Sequence, residues 1–228
     1  MGSISLDKYM GLRQANRNAM DGISMIQTAE GTMGEVHSIL QRVRELTVQA
    51  SNGNYTQEQR ENIQVEINQL TDQVQRFQSD TEFNKKKLFD GSHENFILQT
   101  GANKSESIII DGEKMNLDGI IEKMKSIDVV NKSQTEISKS LGTLDEAITE
   151  ASNMRAYLGG CQNRLEHTVQ NLAVSEENMT ASLSRIYDAD MAEEMTNYTQ
   201  QNVLSQAATS MLAQANQRPQ QVLQLLNT

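Results

Sequence analysis

The residues of this chain able to do acid–base or metal chemistry are few, and their spacing keeps them apart. His37, His93 and His167 are the three histidines. No two of them lie four apart, the spacing that lets two imidazoles grip one metal from a single helix face. His93-Glu94 opens like a zinc-protease helix, but position 97, where the second histidine would close the site, is Ile97. Cys161 is the only cysteine, so no disulfide or thiolate cage forms within the chain. It falls between Leu158 and Leu165 in an apolar stripe and reads as a small seam residue rather than a reactive thiol. His167 lies among Asn, Arg and Glu and reads as solvated or ion-paired. Glu193 and Glu194 are adjacent on a helix and point in different directions. With no glycine-rich phosphate loop and no nucleophile elbow, the expectation is no enzyme, no metal and no cofactor.

The formal net charge of −10 opposes binding to a phosphate backbone, which requires clustered Lys and Arg. Lys85, Lys86 and Lys87 form the one dense basic run and read as a solvated turn. No apolar run approaches the roughly 20 residues that span a bilayer. The first residues also lack the layout of a secretory signal peptide.

The elements that carry these residues are long helices. The single proline is Pro219, so nothing earlier need break a helix. Leu12, Ala15, Ala19, Gly22, Ile26, Ala29, Met33, Val36, Leu40, Val43, Thr47 and Ala50 step by alternating threes and fours, which turns one narrow seam toward a partner helix. Gly22, Gly31 and Gly34 within it predict close approach of a neighbour or a local bend. Ser51-Asn52-Gly53-Asn54 stops the rod, with Gly53 expected in the left-handed cap conformation. Thr56 and Gln59 form a capping box opening a shorter, antiparallel rod whose seam is Ile63, Ile67, Leu70, Val74 and Phe77.

Turn signals at Asp90-Gly91, Gly101-Ala102-Asn103 and Asp111-Gly112 bracket two β-rich runs, Phe96–Gln99 and Ser107–Ile110, a predicted hairpin lying on the helices. Ile120, Ile121, Met124 and Ile127 predict a short helix before a polar link. From Ile137 a second long seam reads Leu141, Leu144, Ile148, Ala151, Leu158, Leu165, Val169, Leu172, Met179, Leu183 and Ile186, with Gly159-Gly160 as its weakest point. A further helix carries Met191, Met195, Leu204, Ala208, Met211, Leu212 and Ala215. The predicted fold class is mainly α, an elongated bundle of long coiled-coil-like helices with a small β-hairpin insert.

Leu40-Gln-Arg-Val-Arg-Glu-Leu-Thr-Val-Gln49 resembles the long N-terminal core helix of bacterial flagellin, and Asn16-Arg-Asn-Ala-Met-Asp-Gly-Ile-Ser-Met-Ile-Gln-Thr-Ala-Glu30 resembles its preceding part. Gln162-Asn-Arg-Leu-Glu-His-Thr168 is similar to the family's C-terminal core helix. Asp188-Ala-Asp-Met-Ala-Glu-Glu-Met195 and Met211-Leu-Ala-Gln-Ala-Asn-Gln217, with Pro219, resemble its terminal segment. The resemblance implies five parts: an N-terminal core helix over 1–50, a second core helix over 51–82, a hairpin and helical linker over 83–135, a C-terminal core helix over 136–187, and a filament-core helix over 188–228. Family members usually begin earlier, with a lead that pairs with the terminal helix. The helix after Asp188 is therefore expected to be frayed or opportunistically packed. Asn84 stands where the family's hairpin region often has glycine, and Tyr187 where a basic residue is common.

The resemblance implies a structural subunit of the extracellular flagellar filament, exported unfolded by the flagellar secretion system without a cleaved signal peptide. It implies as partners other flagellin subunits, an export chaperone on Met191, Met195, Leu204, Met211 and Leu212, and a Toll-like innate immune receptor. The receptor residues it implies are Gln41, Arg42, Arg44, Glu45, Leu46 and Glu66, with Arg42 as the polar cation and Leu46 as the apolar anchor. Three alternatives remain: a coiled-coil scaffold or adaptor, which would form a defined small oligomer; a flagellar hook-junction protein; and a metalloenzyme, which would retain stoichiometric zinc.

Overall fold

The structure, a computed structural model, describes residues 2–92, 94–187 and 191–226. His93 and the Asp188 start of the terminal segment lie outside these residues, as do the side chains of Ile186, Tyr187 and Met191. The fold is mainly α, with long helices and a few short strands. Residues 3–179 form one compact unit, and the chain from Thr180 onward builds a second.

In the first unit, helix α1 (Gly2–Ala50) buries the cadence that its sequence announces. Ala15, Ala19, Ile26, Ala29, Met33, Val36, Leu40, Val43, Thr47 and Ala50 are each at most 1% exposed, while Leu12 is only half-buried. Thr47 fits this apolar line because its hydroxyl donates to the Val43 carbonyl at 2.8 Å. Helix α4 (Gln134–Tyr187) supplies the facing seam, and its register differs from the sequence expectation. Ile137, Ser140, Leu144, Ala147, Ala151, Met154, Leu158, Cys161, Leu165 and Leu172 are buried, whereas Leu141 and Ile148 sit on the shoulder. Reading large aliphatics as the seam missed Ser140, Ala147 and Met154. At Ser140 and Ala147 the buried side chains are small, and at Met154 the side chain is flexible enough to fill an irregular gap.

Interhelical pairs fix the direction. Arg13 meets Glu176 at 3.5 Å, Arg155 meets Glu30 at 3.8 Å, and Arg44 meets Asp145 at 2.7 Å. Gln134 Nε2 donates to the Ser51 carbonyl at 2.7 Å, tying the start of α4 to the end of α1. The two helices therefore run antiparallel over almost all of α1. Gly22 is a point of close approach: a Cβ there would collide with Leu98 and press on Leu165 Cδ1 at 3.2 Å. Gly31, Gly34, Gly159 and Gly160 meet nothing within 4 Å, and both helices run through them unbroken. Those four neither admit a neighbour nor end a helix.

Helix α2 (Gln57–Asp80) starts on the complete Thr56–Gln59 capping box. It buries Ile63, Ile67, Thr71 and Val74, with Leu70 and Phe77 on the flank. Gly53, in the turn before it, does not take the left-handed conformation; Gly91 does, at φ 69°. Strands β1 (Glu82–Phe83) and β2 (Lys86–Lys87) make a tight hairpin that the sequence reading missed. Its two turn residues, Asn84 (φ 51°) and Lys85 (φ 64°), both have positive φ, as a type I′ turn demands. Asparagine serves there because it tolerates that region better than other non-glycine residues. Strands β3 (Asn95–Gln99) and β4 (Ser107–Asp111) pair antiparallel over five residues. This hairpin lies on α1 and α4: Asn18 Nδ2 donates to the Gln99 carbonyl at 2.9 Å, and the Asp111 amide donates to Tyr157 Oη at 2.8 Å.

The linker is a packed strap. A 3-10 turn (Glu113–Met115) leads into α3 (Asp118–Lys125), burying Met115, Leu117, Ile120, Ile121 and Met124, and then Ile127 and Val129. It runs back along α2. Gln78 Nε2 donates to Asp118 Oδ1 at 2.6 Å, and Gln64 both donates to the Ile127 carbonyl (3.1 Å) and accepts from the Val129 amide (2.9 Å). Asp128 turns the chain by accepting from the Asn131 and Val130 amides, which holds its carboxyl below the ordinary range.

These contacts separate the glycines of α1 experimentally. Gly31→Ala and Gly34→Ala should each raise stability by about 1 kcal/mol, because alanine favours helix and meets open space. Gly22→Val should lower it by about 1–3 kcal/mol through overpacking against Leu98 and Leu165. Urea unfolding followed by circular dichroism reads all three.

Candidate recognition and assembly surfaces

Positions 42 and 44 flank the buried seam residue Val43, so their side chains emerge on opposite shoulders of α1. Arg42 leans toward α2. Its Nη2 and Nε donate to Glu66 Oε1 at 2.9 and 3.0 Å, and its Nη1 donates to Glu45 Oε2 at 3.2 Å. Arg44 leans toward α4, with Nε donating to Asp145 Oδ1 at 2.7 Å. Hydrogen bonds to Glu66 and then to Glu45 raise the Arg42 pKa above its ordinary value, as the bond to Asp145 does for Arg44. Both pairs are exposed to solvent, so their weight is in register more than in stability.

The structure thus brings Arg42, Glu45 and Glu66 together on one shoulder, with Gln41 exposed beside them. Arg44 belongs to the other shoulder. Its partner Asp145 was not singled out from sequence; the signal would have been an acid eight residues into the second seam. Leu46 is 2% exposed and belongs to the hydrophobic core, not to the surface. It supports the α1 face from beneath instead of presenting an anchor to a partner.

Helix α5 (Met191–Leu226) carries the second surface. Met195 (55%), Leu204 (60%), Met211 (68%) and Leu212 (64%) are exposed, and so are Tyr198 and Val203, which the sequence reading passed over. No residue from 193 to 216 is buried. Met195, Thr199 and Val203 run beside Thr196, Gln200 and Leu204 in two i, i+4 rows, a shallow apolar strip along one helix face.

Sequence relatives settle what kind of molecule carries these surfaces. A family model described as the bacterial flagellin N-terminal helical region matches residues 5–94, and one for the bacterial flagellin C-terminal helical region matches residues 141–226. A flagellin of Halalkalibacterium halodurans is 47% identical over 216 residues, covering 95% of this chain and 79% of that protein. The chain belongs to the flagellin family.

Flagellins are structural proteins of the bacterial flagellar filament. Two solved structures share the fold. The crystal structure of Bacillus cereus flagellin has a TM-score of 0.61 at 23% identity, covering 73% of this chain and 94% of that one. A putative flagellar hook-associated protein from Vibrio parahaemolyticus has a TM-score of 0.70 at 13% identity, covering 81% and 95%. The helical scaffold is thus common to filament and hook-associated proteins, while the sequence places this chain with the flagellins. Among the described residues no helix is long and apolar enough to cross a membrane, and no group of three or more His, Cys, Asp or Glu could hold a metal ion.

The two candidate receptor contacts are expected to behave differently as variants. Leu46→Ala in this flagellin should cost about 2–5 kcal/mol of stability, the penalty for truncating a buried leucine. Arg42→Ala should leave the urea midpoint nearly unchanged, since its pairs are solvated. Paired denaturation curves check both.

Proposed function

We propose that this chain is a filament subunit whose α5 strip is covered by other copies of itself. One observation carries the reading: a helix of 36 residues exposes Met195, Tyr198, Val203, Leu204, Met211 and Leu212. Large contiguous apolar faces mark sites of association. A contact that does not close on itself adds subunits without limit and yields a helical filament. Before assembly Met195, Leu204, Met211 and Leu212 of this strip, together with Met191, are the site of an export chaperone, which shields them while the chain passes unfolded through the flagellar secretion channel to the cell exterior.

The Arg42 shoulder is the surface read by a Toll-like innate immune receptor. Its support is chemical. Arg42 is planar, exposed and held between Glu66 and Glu45, and each Nη retains a second N–H for an incoming acceptor. Gln41 and Glu45 widen the polar rim, and Leu46 lies buried beneath it; Arg44, paired with Asp145 on the opposite shoulder, stands outside this surface.

Sedimentation tests the assembly reading. The full chain should stay monomeric alone and pellet when filament seeds are added, and Leu204→Glu should stop pelleting without loss of helicity. A defined dimer or trimer indifferent to seeds would instead mean a coiled-coil scaffold. For the receptor surface, Arg42→Ala and Glu66→Ala should reduce receptor signalling by about tenfold or more while the folded fraction stays constant, as hot-spot truncations do. Signalling equal to the parent chain would remove the assignment.

A further inference from the structure

The turn between α1 and α2 holds an arrangement that neither assembly nor recognition uses. Asn52 is followed by Gly53, the one Asn-Gly pair in the chain, and both residues are exposed. Most backbone amides here are tied: Asn52 N donates to the Gln49 carbonyl at 3.2 Å and Tyr55 N to the Asn52 carbonyl at 3.4 Å. Asn54 N points at Asn52 Oδ1 at 3.4 Å. The Gly53 amide, among the described residues, donates to nothing. It has no side chain to shield it, and a Cβ built on it would meet only the Gln134 amide, at 3.6 Å. Asparagine is a thermolabile residue, and this geometry supplies the two things its breakdown needs, an unbonded neighbouring nitrogen and a donor at the carbonyl oxygen.

We propose that Asn52 is a site of spontaneous, backbone-assisted conversion to aspartate and isoaspartate. Hydroxide removes the Gly53 amide proton, and the nitrogen attacks Asn52 Cγ, forming the N–Cγ bond. Negative charge develops on Oδ1, which Asn54 N–H faces, as a donor does in an oxyanion hole. The Cγ–Nδ2 bond breaks, and Nδ2 takes a proton from water and leaves as ammonia. The product is a five-membered succinimide. Water opens it at Cγ to give aspartate, or at the main-chain carbonyl carbon to give isoaspartate. No oxidant or second protein is required. Each conversion adds one negative charge to a chain of formal net charge −10. The isoaspartate branch also inserts a methylene into the backbone beside the Ser51 carbonyl that Gln134 holds.

The other small-residue successors serve as internal controls. Gly22 follows Asp21 inside α1, and the Gly112 amide after Asp111 is engaged by the Glu94 carbonyl at 2.8 Å. The full folded chain is incubated in neutral and mildly alkaline buffer, digested and sequenced by mass spectrometry, with isoaspartate scored by an isoaspartyl methyltransferase. Acid should accumulate at position 52 ahead of every other asparagine, Asn54 and Asn103 included, and faster as pH rises. Gly53→Ala, which neither strains φ nor collides, should slow it at least tenfold, and Asn52→Gln should abolish it. Conversion at 52 no faster than at Asn54, or undiminished by Gly53→Ala, would overturn the proposal.

Discussion

The close antiparallel contact of α1 and α4 is the constraint from which the other parts take their positions. It rests on small residues: Ala15, Ala19, Ala29 and Ala50 on one helix, and Ala147, Ala151 and Cys161 on the other, are all buried. Small side chains permit close approach of the two backbones, and Ile26, Met33, Leu40, Leu144, Leu158 and Leu165 are buried between them. Charge has no place in such a seam. It is displaced to the shoulders, where Arg13, Glu30, Arg44, Asp145, Arg155 and Glu176 pair across it. These pairs select register and direction, since a slip of one turn would break them together. The same displacement puts Arg42 on the surface and Leu46 beneath it.

The α1–α4 pair alone would leave the second shoulder of α1 wet. Helix α2 and the strap from Met115 to Val129 close it, and here polar side chains do the positioning. Gln64 can hold the strap because its amide offers a donor and an acceptor at once, matched to the Ile127 carbonyl and Val129 amide. A leucine at that position would fill volume but leave two main-chain groups without partners.

The seam of α1, the capping box of α2 and the β3–β4 hairpin were legible because each follows a local rule of period or cap. What was not legible depends on the partner. Ala147 and Met154 looked less like seam positions than Leu141 and Ile148 until the register with α1 was known. Gly22 falls on the seam and Gly34 beside it, but that Leu98 lands on Gly22 could not be read from the α1 sequence. The β1–β2 hairpin escaped because its turn is Asn-Lys rather than the usual Asn-Gly. For the proposed recognition surface, the resemblance to flagellin pointed to the residues around Arg42, but not that Arg44 turns the other way or that Leu46 is covered.

Helix α5 shows where periodicity stops being informative. Its apolar cadence is of the same kind as that of α1, yet residues 193 to 216 are exposed throughout. A cadence records that a helix needs a partner and is silent on which. Energetics narrow the choice. Covering Val203, Leu204, Met211 and Leu212 would yield about 1.5–3 kcal/mol each. The loss of translational and rotational freedom on association costs about 4–15 kcal/mol. One pairwise contact is therefore close to break-even, while a copy that docks against several neighbours at once buries further surface at each and loses its freedom only once. A strip of this size suits addition to an existing array better than dimerisation in solution.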